Sequence, residues 1–336
     1  MQSASTRAAV TVILVMLGLT AVIVAFFSSY SSALGKPAPH QVPVAVVVSH
    51  AALPELDGQL RVYSVPDLAT ARSMVEDRTA YGALALPSSG PATLLVASGG
   101  GHAVAALLTQ LGQQVARAHG TTLSTTEIAP TSPNDPNGTV EFYCVIFLGI
   151  GGAVGGTVLG RILGPVRRLP DALKRLGGVV LYAAVLSVVV TLFADIVYGA
   201  LVGHFGLLFL TLWLFVAAVC LAVTGLGALA GPLASFVLIG VLIIFGNTSA
   251  GGAVPRPLLN GFYAALSPLF PQGAALSALR GVQYFGDHGL GAALLCLAIW
   301  AVAGLGLLGA AGLRGTRRRA DPEPQLKAGI PAAVAP

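Results

Sequence analysis

The side chains that most often catalyse reactions or bind metals are sparse in this sequence and follow no functional spacing. The six histidines form neither an HExxH pattern nor a spacing shared with cysteine, which are arrangements that bind zinc. The sequence has no phosphate-binding loop of the GxxxxGK(S/T) type and no GxSxG nucleophile elbow. We therefore expect no enzymatic activity, no cofactor and no metal site, and in particular no hydrolysis of ATP by this chain.

One glycine pattern imitates a cofactor motif. Gly304, Gly306 and Gly309 spell GxGxxG, but the stretch follows no strand, and no acidic residue lies about 20 positions later, as a dinucleotide site requires. Close packing of helices explains these glycines better, as it does Gly152 and Gly156. The three cysteines all lie in apolar runs, which predicts packing rather than a disulfide framework.

Asp195 is the one carboxylate that lies well inside an apolar run, residues 177–202. A charge buried at membrane depth is costly, and such residues by default mark substrate or proton paths. Solvation at the membrane interface is the alternative, because Asp195 lies towards one end of the run. We consider Asp195 a candidate for a transport path.

The distribution of hydrophobic residues predicts the helices that position these side chains. Hydrophobic residues make up 55% of the chain and charged residues 9%, and the mean hydropathy is +0.83. A helix needs ~20 apolar residues to cross a bilayer. The runs that qualify, the fifth being shorter, are 8–29, 142–160, 177–202, 207–229, 233–245 and 290–313. The sequence therefore predicts a polytopic α-helical membrane protein with six transmembrane helices, the first a retained anchor rather than a cleaved signal peptide.

Basic residues are concentrated at three places. Eleven of the 18 lysines and arginines are Arg7, five residues within 161–175 and five within 314–327, and only three acidic residues lie in these segments. Positive residues that flank membrane spans stay on the cytoplasmic side. The pattern predicts a multi-pass protein of the cytoplasmic (plasma) membrane, with the N-terminus and the C-terminus inside and residues 31–141 outside.

The exported segment has the pattern of a small α/β domain. Runs of β-branched and apolar residues predict strands over residues 41–48, 60–65, 80–86, 92–97 and 123–128. Amphipathic spacing predicts a helix after Pro66 and Asp67 and another from His102 to a stop at Gly120. Strands that alternate with two helices indicate an α/β domain, inserted between transmembrane helices 1 and 2, that buries a modest core of its own.

The predicted organisation has four parts. They are an N-terminal transmembrane anchor at 1–30, the extracytoplasmic α/β domain and its linker at 31–140, a five-helix membrane domain at 141–313 and a cytoplasmic tail, basic and rich in proline and alanine, at 314–336.

The inner loop between the second and third spans, residues 161–176, is the cytoplasmic surface with the size and pattern to dock a partner. Pro170 suits the start of a short helix whose leucines share one side and whose basic residues lie elsewhere. Such a helix can lie on the membrane surface or bind another protein, whereas simple anchoring by positive charge is the alternative. The candidate coupling residues are Leu169, Leu173, Lys174, Arg175 and Leu176.

The outer stretch before the last span, residues 247–289, contains two apolar pieces that prolines divide and that are too short to cross a bilayer. It also contains Arg280. Irregular backbone at membrane depth persists only where it is buried in protein or lines water. We therefore expect re-entrant or interfacial half-helices in this stretch.

Several short motifs of the outer stretch and the exported domain are typical of one known family. They are Gly246-Asn247-Thr248-Ser249, Gly251-Gly252, Pro255, Pro268, Pro271-Gln272-Gly273, Ala278-Leu279-Arg280, Tyr284-Phe285, Ala45-Val46-Val47 and residues 78–83. With the order of spans and domain, they make the chain similar to the type-2 ABC-transporter permease superfamily. Within it, the chain most resembles the phage-infection-protein (YhgE/Pip-like) branch.

The resemblance implies roles for two segments. In that superfamily the first inner loop contacts a separate ATPase subunit and the outer half-helices line the exit path. In this sequence these segments are residues 169–176 and 258–284. Arg280 and Tyr284 thereby join Asp195 as candidates for the transport path.

The function predicted from the sequence is that of a permease subunit of an ABC-type exporter, or a permease-like membrane protein. It would move an apolar or amphiphilic substrate across the cytoplasmic membrane. The expected partners are the lipid bilayer, a separate nucleotide-binding ATPase subunit and a second copy of the chain in a homodimer, with no nucleic acid. The alternative is a non-transporting cell-surface receptor, or a scaffold for secretion or assembly, that presents the α/β domain.

Overall fold

The computed structural model describes residues 4–48 and 59–320. Most of the tail expected at 314–336 therefore lies outside the described residues. The helices, in chain order, are α1 Ala4–Leu34, α2 Leu68–Glu76, α3 His102–Ala118, α4 Val140–Ile162, α5 Leu169–Leu192, α6 Phe205–Ala230, α7 Pro232–Val241, α8 Asn247–Ser249, α9 Gly261–Leu266, α10 Pro271–Tyr284 and α11 Leu290–Ala320. The strands are β1 Val42–Val48, β2 Leu60–Val65, β3 Gly82–Leu86, β4 Ala92–Val96 and β5 Leu123–Glu127.

Six helical segments in the described ranges are long and apolar enough to cross a membrane. They are Thr6–Leu34, Val140–Ile162, Leu169–Val197, Phe205–Ala230, Pro232–Ser249 and Leu290–Thr316. The prediction of a polytopic helical membrane protein is confirmed. The fifth segment reaches 18 residues because a π-helical turn, Leu242–Gly246, joins α7 to α8 without a break.

The helix α6 is the centre of the membrane part. In its most apolar stretch 67% of the residues are buried, against 0% in α1. Glycines allow the closest approaches: a Cβ on Gly304 of α11 would lie 2.5 Å from the backbone nitrogen of Ala222, and a Cβ on Gly156 of α4 would lie 2.9 Å from the carbonyl oxygen of Cys220. Helix packing therefore explains Gly304 and Gly156, whereas Gly306 has no neighbouring atom within 4 Å of such a Cβ.

The residues of the inner loop differ from the expected short surface helix. Residues 169–176 form the first two turns of α5, which continues into the third span. The helix starts where Pro170 predicts, and Asp171 caps it by accepting hydrogen bonds from the backbone N–H groups of Arg167 and Arg168 at 3.1 and 3.0 Å. Arg175, in the second turn, is 4% exposed and donates to the carbonyl oxygen of Gly160 at 3.0 Å, which ties the start of α5 to α4.

The segment between α1 and α4 forms a five-stranded sheet in the order β2-β1-β3-β4-β5. Adjacent strands are parallel except β3 and β4. Successive side chains point to opposite faces of a strand, and β1 therefore sends Val44 and Val46 towards α3 and Ala45 towards α2. All five strands and both helices were predicted from the sequence, to within a few residues at their ends.

The caps of these two helices also match the sequence pattern. Asp67 is the N-cap of α2, and its side chain accepts a hydrogen bond from the backbone N–H of Thr70 at 2.7 Å. After α3 the chain turns at Gly120, whose φ of +65° is a conformation that glycine adopts at little cost.

The core of the sheet domain is completed by residues from the helical part of the chain. Leu258 belongs to the cluster on the α3 face and Phe285 to the cluster on the α2 face, and each is 7% exposed. The backbone is joined here as well, because His40 donates its N–H to the carbonyl oxygen of Pro257 at 2.9 Å. The outer stretch thus contributes to the core on both faces of the sheet.

Candidate functional site at the junction of the sheet domain and the helices

A buried ion pair lies where the outer stretch meets the second span. Arg280, on α10, donates from Nε to Oε1 of Glu141, in the first turn of α4, at 3.3 Å. The Glu141 residue is 0% exposed and Arg280 is 6% exposed. Two charges persist in a buried position only when they are paired and hydrogen-bonded. The pair therefore holds α10 against the start of α4.

Arg280 also reaches two other segments. Its Nη1 donates to the carbonyl oxygen of Gly251 at 3.1 Å and to that of Gly100, in the sheet domain, at 3.5 Å. One guanidinium group therefore connects α10, α4, the loop after α8 and the sheet domain.

Arg78 makes a second connection, which runs from the sheet domain to the helical part of the chain. It lies in the turn after α2 with a φ of +64°, and its guanidinium group lies over the ring of Phe285, 5.2 Å from the centroid. Its Nη1 and Nη2 donate to the backbone oxygen and the hydroxyl oxygen of Ser277 at 2.9 and 3.1 Å, and Nη1 also donates to the backbone oxygen of His288 at 3.3 Å. Beside it, Nε2 of His288 lies 3.5 Å from Oδ1 of Asp77.

Three consecutive glycines of the sheet domain pack against the outer stretch, two of them against the end of α10 and one against Pro255. A Cβ on Gly99 would collide with the Tyr284 side chain, a Cβ on Gly100 would lie 3.3 Å from Cζ of Phe285, and a Cβ on Gly101 would lie 2.7 Å from Cγ of Pro255. Side chains at these three positions would push the sheet domain away from the helices. The glycines therefore permit the close approach on which the junction depends.

The motif at the start of α10 has a structural reason at each position. Pro271 lies in the first turn of the helix, where its missing N–H is harmless. Gln272 donates from Nε2 to the carbonyl oxygen of Leu242 at 2.9 Å, which joins α10 to the π-helical turn. A Cβ on Gly273 would collide with the backbone of Ser267.

These contacts enclose an open cavity of about 330 Å³, the junction cavity. Its charged and hydroxyl-bearing lining residues include Asp77, Arg78, Tyr81, Arg256, Ser277 and Arg280. Its other walls are largely apolar or small, and include Leu276 and, in the first turn of α11, Ala292 and Ala293. Two motifs that lie about 200 positions apart in the sequence, around Arg78 and Arg280, thus meet at one site.

Burial and the arginines set the electrostatics of the junction. Burial raises the pKa of Tyr81, and the positive charges of Arg78, Arg280 and Arg256 oppose that rise. Burial lowers the pKa of Arg78; the nearby Tyr81 opposes the change and the charge of Arg280 adds to it. Three guanidinium groups therefore lie within electrostatic range of one phenol.

Tyr284 has an unusual position near the ion pair. Burial raises its pKa, and the carboxylates of Glu141 and Asp135 raise it further. Its buried hydroxyl group lies close to the Glu141 carboxylate, but within the described part of the chain neither this hydroxyl group nor Oε2 of Glu141 has a hydrogen-bond partner in good geometry. Tyr284 therefore stays protonated and faces the pair as a neutral hydroxyl.

A second open cavity, of about 520 Å³, lies at the other end of α4 and is called the inner cavity. Its lining includes Arg161, Arg175 and Thr224 on the polar side and Phe236 and Ile239 on the apolar side. Arg175 donates from Nη2 to the carbonyl oxygens of Gly160, at 3.0 Å, and Gly164. Its Nε and the Thr224 hydroxyl are buried without a hydrogen-bond partner among the described residues.

The candidate coupling residues divide into two groups. Leu169 and Leu173 lie one turn apart and are 47% and 60% exposed, with Lys174 exposed beside them. Leu176 packs partly inside, against the cluster that contains Ala172, and Arg175 belongs to the inner cavity. The loop is held in place by α11, since a Cβ on Gly312 would lie 3.2 Å from the carbonyl oxygen of Arg168.

Asp195 does not join the other candidates. It lies in the π-helical turn Phe193–Val197 at the end of α5, is partly exposed and lines neither cavity. Within the described ranges no hydrogen bond or ion pair connects it to another side chain. The hypothesis that Asp195 lies on a transport path therefore stays a prediction.

Sequence reasoning identified Arg280, Tyr284 and Arg175 but not their surroundings. Glu141 and Arg256 were missed. The sequence does contain a signal for Glu141. It is an acidic residue directly before an apolar run, and such a residue, if buried, needs a basic partner. Within residues 4–48 and 59–320 no cluster of histidine, cysteine and carboxylate side chains is arranged to hold a metal ion. What the junction can do chemically is bind anions through its guanidinium groups.

Comparison of the chain with protein-family models, with curated proteins and with solved structures gives no match.

Proposed function

We propose that this chain is the permease subunit of an ABC-type exporter of an amphiphilic substrate. In this proposal both termini lie on the cytoplasmic side of the membrane, and the sheet domain lies on the outer side. The basic residues around Arg161 and Arg175 support the orientation, since positive flanks stay on the cytoplasmic side.

The observation that carries the proposal is a pair of open cavities near opposite ends of α4. Arg280 of the junction cavity pairs with Glu141 in the first turn of α4, and Gly160 and Arg161 at the other end of α4 line the inner cavity. At a rise of about 1.5 Å per residue, a helix of this length spans roughly the thickness of the hydrocarbon core. Each cavity combines arginines with an apolar wall, as an amphiphile requires. A scaffold that only presents a domain has no need for such cavities at both ends.

Coupling to an ATPase is supported by the exposed leucines at the start of α5. Leu169 and Leu173 form a small apolar surface beside the inner cavity, and α11 holds their loop against the bundle. A partner that binds these leucines can act on Arg175, two residues from Leu173, and through it on the inner cavity.

The experiment that tests the proposal is affinity purification from the native membrane. We expect a nucleotide-binding subunit to be recovered with the unchanged chain and to be lost with Leu173→Asp, which places a charge on the docking surface. Lys174→Ala is the matched control, since an exposed rim charge contributes little to binding. Thermal unfolding of both variants has to stay near that of the unchanged protein.

Failure to recover any nucleotide-binding subunit with the unchanged chain would contradict the ATPase-coupled permease. That result would favour the alternative, a receptor or assembly scaffold. The docked sheet domain would then be the functional part, and the spans would anchor it.

A further inference from the structure

We infer that the junction cavity is a binding site for a phosphate group, on a lipid or on a soluble phosphate ester. The inference is independent of transport, because binding a phosphate requires no ATPase. It rests on the arginines of the cavity, on the groups that balance their charge and on the nature of the walls.

The charges around the cavity do not cancel. Arg78, Arg256 and Arg280 line it together with Asp77, and Glu141 pairs with Arg280 from outside the lining. Among the lining residues the three guanidinium groups stand against one carboxylate, Asp77, which is shared with His288. The lining itself therefore carries a positive charge when the cavity contains no anion.

Two of the arginines have no carboxylate partner in the described part of the chain. Arg78 donates hydrogen bonds only to neutral oxygens of Ser277 and His288. Arg256 donates from Nε to the carbonyl oxygen of Ala264 at 2.9 Å, and no hydrogen bond within the described ranges uses its Nη1 or Nη2. A guanidinium group has five N–H donors in a planar fork that matches phosphate oxygens. The outer edge of Arg256 is therefore free to bind one.

Tyr81 adds a neutral donor at the same place. It lines the cavity and lies within electrostatic range of all three arginines. A phenol hydroxyl can donate to a phosphate oxygen that the guanidinium groups hold. The set of donors thus suits a compact anion with several oxygens better than a single carboxylate.

The cavity has room for more than the anion. Its volume of about 330 Å³ is within the range of small-molecule sites. Leu276 and the start of α11, at Ala292 and Ala293, form an apolar wall next to a membrane-spanning helix. A phosphate at the arginines leaves space for the glycerol or the first part of the chains of a lipid.

The test measures binding by the full-length protein, purified in a neutral detergent. The probes are phosphatidic acid with a fluorescent acyl chain and, as a competitor, glycerol 3-phosphate; phosphatidylcholine is the zwitterionic comparison. We expect phosphatidic acid to bind more tightly than phosphatidylcholine. Displacement by glycerol 3-phosphate indicates that a soluble phosphate ester suffices, and no displacement indicates a lipid headgroup; both results support a phosphate site.

The variants locate the binding. Arg256→Gln removes a charge-assisted donor and is expected to lower the affinity for phosphatidic acid about tenfold or more, and Tyr81→Phe about threefold to tenfold. Arg117→Gln, on the exposed face of α3, removes the same charge away from the cavity and serves as the matched control. Arg256→Gln is preferred to a change at Arg78, which holds the junction together.

Two results would overturn the inference. One is the absence of binding of phosphatidic acid and of glycerol 3-phosphate to the unchanged protein. The other is equal affinity in Arg256→Gln, Tyr81→Phe and Arg117→Gln, which would assign any binding to nonspecific attraction by a basic protein.

Discussion

The guanidinium group of Arg280 and the carboxylate of Glu141 pair at 3.3 Å although 139 positions separate them in the chain. The pair joins the first turn of the second span to the last helix of the outer stretch. The same arginine donates to the carbonyl oxygen of Gly100 at 3.5 Å, so the pair also helps to hold the sheet domain against the helices.

Loss of one partner of this pair is expected to be costly. Arg280→Met leaves the buried carboxyl group of Glu141 without its partner, which costs about 3–5 kcal/mol of unfolding free energy. The double variant Arg280→Met with Glu141→Gln is expected to recover part of that loss, as thermal unfolding in detergent can measure. The control is Arg72→Met, which breaks an exposed pair with Glu76 at 3.6 Å and is expected to cost under ~1 kcal/mol. Equal losses for Arg280→Met and Arg72→Met would mean that the junction pair is not structural.

Phe285 is expected to stabilise the sheet domain from outside it. Its ring belongs to the core on the α2 face and lies under Arg78. Phe285→Ala is therefore expected to cost about 3–5 kcal/mol and to increase proteolytic cleavage within residues 42–127, as mass mapping of the fragments can show. Phe262→Ala, at a ring that is 59% exposed, is expected to leave the cleavage pattern unchanged. An unchanged pattern in Phe285→Ala as well would show that the sheet domain folds without the junction.

A larger side chain is expected to destabilise the protein at position 304 but not at position 306. A side chain at Gly304 meets the backbone of α6, and overpacking of this kind costs about 1–3 kcal/mol. Gly304→Leu is therefore expected to lower the unfolding temperature, while Gly306→Leu, which points into open space, is not. Similar temperatures for both would contradict close contact between α6 and α11.

The proposed orientation predicts which cysteines a membrane-impermeant reagent can reach. In a variant without the three native cysteines, Ser88→Cys is expected to be labelled in intact cells. Arg168→Cys is expected to be labelled only after the membrane is made permeable. Labelling of Arg168→Cys in intact cells would reverse the orientation.

The hypothesis for Asp195 predicts a loss of export rather than a loss of protein. Asp195→Asn keeps the size of the side chain and removes its charge. A carboxylate on the path is expected to be needed for a resistance or accumulation phenotype, at an unchanged amount of protein in the membrane. Asp287→Asn, in the turn before α11, is the control. Equal phenotypes for the two variants would place Asp195 at the membrane interface, where water solvates it.

The parts of the structure that follow local rules were predictable. Hydropathy located the six spans, a run of β-branched and apolar residues located β2 at Leu60–Val65, and Asp67 marked the start of α2. Each of these depends on a few neighbouring residues. Local rules predicted a helix start at Pro170 but not that this helix continues into the third span, because charged residues in its first turns suggested a separate element outside the membrane.

The candidate site depended on contacts that no local rule contains. Arg280 was noticed as a charge in an apolar stretch, but its partner Glu141 and its neighbour Arg78 come from other parts of the chain. Arg175 was assigned to an exposed surface and is instead 4% exposed. A single sequence contains the residues of such a site without stating which of them meet.

The contrast between α1 and α6 has a consequence for how the sequence can change with time. No residue in the most apolar stretch of α1 is buried against the rest of the protein, whereas two thirds of that of α6 is. Length and hydrophobicity therefore constrain α1, and exchanges among leucine, isoleucine, valine and phenylalanine are expected to be nearly neutral there. In α6 the same exchanges alter the volume of a packed interior. We expect related sequences to diverge quickly along α1 and slowly along α6.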